Sequence, residues 1–353
     1  MKVKRLTNEV KRFAKRGAVS RITIKDVAAQ AGVSIATVSN AFSGRKSVSP
    51  DIIQRVEDAA RALGYQKNIA ASQLRSGRVR VVGVLVPSLA DTFFASLVSH
   101  LEELAEADGF QVLVATSRDD ARHERAQLDA LLGWKPSGLI AVPCTNQIPE
   151  NLRREFPGLP MVLVDRIGED DLPVDTVTVD NHTAGREAAE HVLDLGHRDI
   201  LIAASVAALR PIAERIRGIS GACHHHAGQP PRIIELGPEV ETGAARLEAW
   251  LARNSHPTAV IAMTNVTTLA VLTAFAQRGI DIPGAVSLVG FDDYAWMTAR
   301  KVPLSAVRQP IRDIAAAAWT RLMERMDGSE EAPARIVLEA PLQRRDSVGA
   351  VPA

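Results

Sequence analysis

The sequence predicts a two-part molecule: a small N-terminal all-α helix-turn-helix unit, then a larger α/β region folded as two doubly wound parallel-sheet lobes. Three observations predict this. Residues 23–65 read as three short helices divided by capping residues and glycines. From Arg80 onward, short β-rich runs alternate with helical segments, and the alternation goes round twice. Charge divides near the same place: residues 1–80 hold 17 Lys and Arg against 5 Asp and Glu, a net of +12, while the rest holds 25 against 36, a net of −11. A basic segment on an acidic body points to a polyanionic partner for the first part alone.

At 353 residues the chain exceeds one ordinary domain and can bury sizeable cores. Two cysteines far apart in sequence, Cys144 and Cys223, make no disulfide framework and suit a reducing compartment. The first residues hold no apolar signal core, and no run reaches the roughly 18 apolar residues of a membrane helix. The expectation is a soluble cytoplasmic protein without a membrane partner.

Residues 1–21 are a basic extension, read as a weak amphipathic helix, a loose arm on phosphates or a plain tail. Thr23 then starts a helix. Its hydroxyl is placed to cap the backbone, and Asp26 completes a box-like pattern at the positive helix end. Ile24, Val27, Ala28 and Ala31 form the apolar stripe, Gly32 ends the helix and Val33 plugs the turn. Ser34 caps a second short helix over 35–42, which buries Val38 and Phe42 and exposes Ile35, Ala36, Thr37 and Asn40. A loop carries Arg45 and Lys46. Ser49 caps a third helix, with Pro50 at its first position, Ile52, Ile53, Val56, Ala60 and Leu63 inside, and Gly64 at its end. This is a helix-turn-helix pattern. A purely structural three-helix unit is the alternative. Against it, the second helix is short, with a small, weakly polar outer face flanked by Lys25, Arg45 and Lys46. Such a helix fits a major groove while the cations hold phosphates.

The α/β region opens with the strand VRVVGVLVP, a continuous apolar run suited to a parallel strand buried on both faces. Helices near 93–108 and 121–132 alternate with the strands QVLVAT, GLIAVP, MVLVD and TVTVD. After Asn181 the cycle restarts, with helices near 182–195, 211–226, 243–253 and 266–278 between DILIAA, RIIEL, AVIAM and VSLVGF. Right-handed crossovers within each set give two similar lobes.

Here a resemblance becomes specific. DVAAQAGVSIATVSNAF, with RVEDAARALGY after it, resembles the DNA-binding headpiece of the lac repressor family of bacterial regulators. NIAASQLRSG resembles that family's hinge helix, with Asn68 at its starting Asn and Leu74 at the leucine wedged into the minor groove at the operator centre. On composition alone this segment is a linker. VDNHTAGREAAEHVLDLGHRDILIAA, ERIRG, IPGAVSLVGFDD, LSAVRQP and VLEAPLQRRDSVG are similar to later family stretches. The resemblance spans about residues 22–348. It implies a headpiece at 22–66, a hinge at 67–79 and a periplasmic-binding-protein-like effector and dimerisation domain at 80–348. Lobe 1 then takes about 80–179 and 310–340, and lobe 2 about 180–308 and 341–348. It also implies a homodimer on double-stranded operator DNA, with Thr23, Ser34, Ile35, Ala36, Thr37, Asn40, Arg45, Asn68 and Leu74 toward the DNA.

Ligands of open α/β sheets sit beyond the carboxyl ends of the strands. The residues there are Asp91, Phe93 and Phe94; Asp165 and Arg166; Thr264 and Asn265; and Asp292 and Asp293, with Arg215 in ERIRG and Gln309 in the last crossover. From these, the expected effector contacts are Asp91, Phe94, Arg166, Arg215, Asn265, Asp292 and Gln309. The resemblance gives Arg215 and Asp292 the roles of effector-binding Arg and acidic contact. An Arg fork suits vicinal hydroxyls or a carboxylate, and Asp accepts from sugar hydroxyls. Each residue also has a structural alternative, as an Arg–Asp pair bridging lobes or a capped helix start.

Two positions depart from the family pattern. Thr264-Asn265 stands where Asn-Asp is usual, and the loss of one carboxylate would tolerate an anionic effector. Asn40 stands where many relatives place Arg. Asn pairs with adenine and Arg with guanine, so a different half-site is expected. The expected effector is thus a sugar, sugar acid or related metabolite, with no cofactor and no metal. His224, His225 and His226 read as a solvated helix end. GxGxxG, P-loop and GxSxG patterns are absent, which argues against an α/β enzyme. A solute-binding protein without a regulatory role is the alternative to a ligand-controlled repressor, and the N-terminal helices count against it.

Overall fold

The computed structural model describes residues 22–43, 48–65, 80–167 and 172–351. The chain divides into two compact units, Met1–Gly77 and Arg78–Ala353. The basic extension, Arg45 and Lys46, and the hinge with Asn68 and Leu74 lie outside the described residues.

The first unit holds α1 (Ile24–Ala31), α2 (Ile35–Ser43) and α3 (Pro50–Leu63). Val27, Ala28, Ala31, Val38, Val56, Ala59 and Ala60 form its core, and Val33 packs against them from the turn. Ala59 takes the inner place expected of Ile53, which is half-buried. Gly32 takes φ 64°, and Arg55 of α3 donates to the Ala31 carbonyl at the same helix end. Thr23 and Asp26 form the capping box that their spacing predicts: the Thr23 N–H donates to Asp26 Oδ2 at 2.7 Å and the Thr23 hydroxyl to the same oxygen at 2.8 Å. One expected cap is corrected. Ser49 stands at the start of α3 without a side-chain bond, and Pro50 follows it at the first helical position.

The second unit contains two six-stranded sheets. The strands are β1 (Val81–Val86), β2 (Gln111–Thr116), β3 (Gly138–Ala141), β4 (Met161–Val164), β5 (Asp175–Val179), β6 (Ile200–Ala204), β7 (Arg232–Glu235), β8 (Ala259–Ala262), β9 (Ser287–Phe291), β10 (Ser305–Val307), β11 (Arg335–Leu338) and β12 (Leu342–Gln343). Their orders are β11-β5-β4-β3-β1-β2 and β12-β10-β9-β8-β6-β7. Every pairing is parallel except β10 with β12. The central strands β3, β4, β6, β8 and β9 are buried along their whole length, as their unbroken apolar runs require.

The helices are α4 (Thr92–Ala107), α5 (Ala121–Gly133), α6 (Glu150–Glu155), α7 (Asn181–Asp194), α8 (Arg210–Ala227), α9 (Val240–Leu251), α10 (Asn265–Arg278), α11 (Ala295–Thr298) and α12 (Ile311–Met326). The chain passes between the sheets three times: from β5 into α7, from β10 into α12, and from β11 into β12. Buried ion pairs secure these returns. Asp175 at the start of β5 accepts from Arg321 at 3.0 Å and Arg325 at 2.6 Å, both on α12, and from the Ala334 N–H at 2.7 Å. Asp293 after β9 pairs with Arg308 and Arg345, each at 2.6 Å.

Candidate functional site

The outer face of α2 begins with Ser34, which accepts from the Thr37 N–H at 3.0 Å; the two hydroxyls lie 2.8 Å apart. Thr37 is thereby half-buried and tied to the cap. Ile35, 42 % exposed, and the exposed Ala36 form the open part of the face, with Asn40 half-buried further along. Of the residues expected to face DNA, Thr23, Ser34 and Thr37 therefore also hold helix starts.

In the second unit, the strand ends bring a set of polar side chains together between the lobes. Asp91 caps α4 by accepting from the Phe93 N–H at 2.9 Å. Its Oδ1 also accepts from Asn265 Nδ2, across the cleft, at 3.1 Å. Asn265 opens α10 and donates its own N–H to Asp292 Oδ2 at 3.0 Å. Gln309, entering from the crossover, donates Nε2 to Asp292 Oδ1. Asp292 and Asp165 both take left-handed backbone, φ 65° and 63°, a conformation Asp tolerates better than most side chains. It turns the chain sharply at the ends of β9 and β4.

Arg215 is 3 % exposed on α8. Its Nε donates to Asn181 Oδ1 at 2.8 Å, its Nη1 donates to the Met263 carbonyl, and its guanidinium lies 4.3 Å over the Phe291 ring. Two glycines make that position possible. A Cβ on Gly218 would stand 2.1 Å from the His182 carbonyl oxygen, and one on Gly185 would stand 2.3 Å from that of Arg215. With hydrogen there instead, α7 and α8 meet backbone to backbone.

These residues enclose a cavity of about 50 Å³, lined among others by Asp91, Phe94, Asp165, Arg166, Arg215, Asp292 and Gln309. Asn265 reaches the same group through its bonds to Asp91 and Asp292. A larger hollow of about 760 Å³ adjoins it, sharing Asp165 and Pro211. Between Ile167 and Leu172 on its wall, residues 168–171 lie outside the described set. The convergent buried groups belong to the smaller cavity, which is therefore the candidate site.

Electrostatics there are crowded. Burial first, and then the neighbouring Asp292 charge, push the Asp91 carboxyl up to about 6. Burial raises Asp165 too, against the pull of Arg166 and Arg215. Burial lowers Arg215, while Asp292 and Asp165 work in the opposite direction. Arg166 lines the cavity as well, paired with Asp119 and lying 5.3 Å over the Phe94 ring.

Sequence reasoning missed Asn181, which orients Arg215, and left Asp165 out of the expected contacts. It also missed Asn146, which ties the lobes together: Nδ2 donates to the Ala208 carbonyl at 2.7 Å, and Oδ1 accepts from the Arg210 N–H at 2.8 Å. No spacing rule finds partners 62 to 64 residues apart. Position after a strand did flag Asp165. Among the described residues no cluster of metal-ligating side chains occurs and no helix is long and apolar enough to cross a membrane.

Comparisons with known proteins bear on the family and the fold. Residues 23–68 match the family model for bacterial regulatory proteins, lacI family, and residues 189–348 match that for a periplasmic binding protein-like domain. The chain is 31 % identical to the HTH-type transcriptional regulator PtxS of Pseudomonas putida, over 93 % of this chain and 96 % of that one. It is 32 % identical to the HTH-type transcriptional regulator GalS of Salmonella typhimurium, with the same coverage of 93 % and 96 %. The lac repressor dimer bound to operator and the anti-inducer ONPF superposes with a TM-score of 0.82 at 24 % identity, covering 94 % of this chain and all of that one. A complex of the transcriptional regulator CelR with cellobiose gives 0.68 at 28 % identity, covering 93 % and 100 %.

Proposed function

The chain belongs to the lacI family of bacterial regulatory proteins, and from that premise we propose that it is a dimeric repressor whose operator affinity is set by a small hydroxylated molecule between its lobes. It is a DNA-binding transcriptional regulator with a ligand-binding effector domain. The observation that carries the proposal is the convergence of Asp91, Arg215, Asn265, Asp292 and Gln309, drawn from both lobes and a crossover, on one cavity.

The DNA half is supported by α2, whose start offers Ile35 and Ala36 to a groove. A homodimer presenting two such helices suits a pseudo-palindromic operator, as in the lac repressor dimer bound to its operator. A cavity of about 50 Å³ is smaller than a monosaccharide, so the lobes must part to admit the effector. That movement is the physical link between ligand and DNA, because a ligand shifts an equilibrium only by its differential affinity for the two states. Footprinting of DNA upstream of this chain's own gene tests the reading. A protected pseudo-palindrome is expected, and uniform, sequence-independent protection would contradict it.

A further inference from the structure

Among the described residues, five that are not glycine take left-handed backbone, and four of them, Arg118, Asp119, Asp165 and Asp292, follow strand ends of the two lobes. Asp165 and Asp292 line the cavity, whereas Arg118 and Asp119 stand outside its lining. Their turn is pinned on both sides. The Arg118 N–H donates to the Pro87 carbonyl at 2.8 Å, and the Asp120 N–H to that of Ser117 at 3.1 Å. Left-handed backbone disfavours a long side chain, so Arg118 and Asp119 in succession, at φ 55° and 53°, are strained. Such strain persists where the placement of a group matters more than its stability.

The group placed here is the Asp119 carboxylate, which accepts from Arg166 Nη1. The Asp119 side chain is 34 % exposed, and an ion pair open to water on one side adds little to stability. Arg166 does line the cavity, with its guanidinium 5.3 Å over the ring of Phe94, which lines it too. The same positive charge acts on Asp91, Glu124 and Asp165, so other carboxylates compete with Asp119 for it. Glu124 already accepts from the Cys144 N–H at 2.7 Å. Without Asp119, the guanidinium would be drawn onto Asp91 or Asp165 and would occupy acceptors that an effector needs.

We propose that Asp119 is a positioning residue of the effector site: it holds the Arg166 guanidinium over Phe94 and off the cavity's own carboxylates, which stay open to the effector. Asp119 itself touches no ligand and acts through Arg166 alone. A hydroxylated ligand is served by both kinds of group, since a hydroxyl donates to a carboxylate and accepts from a guanidinium N–H. The inference rests on the cavity being the effector site, and it adds a residue outside the lining on which binding depends.

The test uses Asp119→Gly in the full chain, because glycine keeps the left-handed turn and removes only the carboxylate. The first measurement needs no ligand. The titration of Asp91 is followed by the carbon-13 signal of its carboxyl, assigned by its loss in Asp91→Asn. Asp119→Gly should lower that titration by about one pH unit or more, as an arriving guanidinium does. The fall should vanish when Arg166→Gln is added. An unchanged titration, or a fall that survives Arg166→Gln, overturns the proposal. The second measurement is calorimetry at pH 7.5 with D-glucose, D-galactose, D-mannose, D-fructose and D-ribose. A sugar that binds wild type should bind Asp119→Gly about tenfold more weakly, the scale of one charge-assisted hydrogen bond. The double variant should bind it no more weakly than Arg166→Gln alone. Equal affinity in wild type and Asp119→Gly, with a loss in Arg166→Gln, would sink the positioning role while the cavity stands as the effector site. A sugar bound equally by wild type, Arg166→Gln and Arg215→Gln would place binding elsewhere and remove the cavity reading itself.

Discussion

Asn265 Nδ2 lies 3.1 Å from Asp91 Oδ1, a hydrogen bond between the start of one lobe's helix and the cap of the other's. Nδ2 donates, so this bond favours the ionised carboxylate of Asp91, against burial and the neighbouring Asp292 charge. Closure and protonation of Asp91 are therefore tied together, and the first prediction follows from that tie.

Asp91 is raised to about 6 from an ordinary value of 3.8, so the folded state holds its proton over a window in which the unfolded state has lost it. Stability from this group is greatest below that window and falls as pH rises from near 4 to 6, by at most about 3 kcal/mol. The charged groups acting with it are Asp292, Arg166 and Arg215, with Tyr294 nearby. Asp91→Asn removes the titration. Relative to wild type, the variant should gain stability between pH 5 and pH 7.5 in urea unfolding. A constant difference at the two pH values would contradict the assignment.

A second prediction concerns Asp175. It is 2 % exposed and accepts from Arg321, Arg325 and the Ala334 N–H. Burial opposes its ionisation, but those bonds outweigh it and hold the carboxyl below the usual range. Its contribution is thus present at neutral pH and lost as pH falls below about 4. Asp175→Asn takes the buried carboxylate from two guanidinium groups, of which Arg321 keeps Glu324 and Glu331 and Arg325 keeps two backbone carbonyls, and should destabilise the second unit by roughly 1–3 kcal/mol at pH 7. Urea unfolding measures this, and a change below about 0.5 kcal/mol would refute the role.

A third prediction uses Gly218. A methyl there would meet the His182 carbonyl oxygen at 2.1 Å, so α7 and α8 must separate. Gly218→Ala should lose about 1–3 kcal/mol through overpacking. It should also weaken ligand binding by displacing Arg215. Unchanged binding in a folded variant would detach Arg215 from the site. Gly221 on the same helix meets nothing within 4 Å, so Gly221→Ala serves as the tolerated control.

Asn146 supplies a fourth. Its side chain bonds both the Ala208 carbonyl and the Arg210 N–H across the lobes. Asn146→Ala should leave stability within about 1 kcal/mol, since each such bond is worth little net. It should favour the open arrangement, seen as a larger radius of gyration of the ligand-free protein in X-ray scattering. An identical scattering curve would show that this bridge does not hold the lobes.

Much of this architecture was legible in the sequence because its signals are local. Continuous apolar runs located β1, β3, β4, β6, β8 and β9, and capping residues and glycines bounded the first three helices. The site was legible in outline for the same reason, since its residues follow strand ends. What stayed hidden depends on distant partners. β10 has three residues and β12 two, too short for a periodic signal. The pairing of Arg166 with Asp119, 47 residues away, is of that kind. Ser49 has the residue type and position of a side-chain cap, yet it makes no cap bond.

The central claim is that occupancy of this cavity controls the grip of the first unit on DNA. The measurement that tests it most directly is operator affinity by fluorescence anisotropy, for wild type and Arg215→Gln, with and without a saturating sugar that calorimetry shows to bind the wild type. The account predicts a shift of about fivefold or more in wild type, the usual range of allosteric coupling, and none in Arg215→Gln. Equal affinities with and without ligand in the wild type would contradict it.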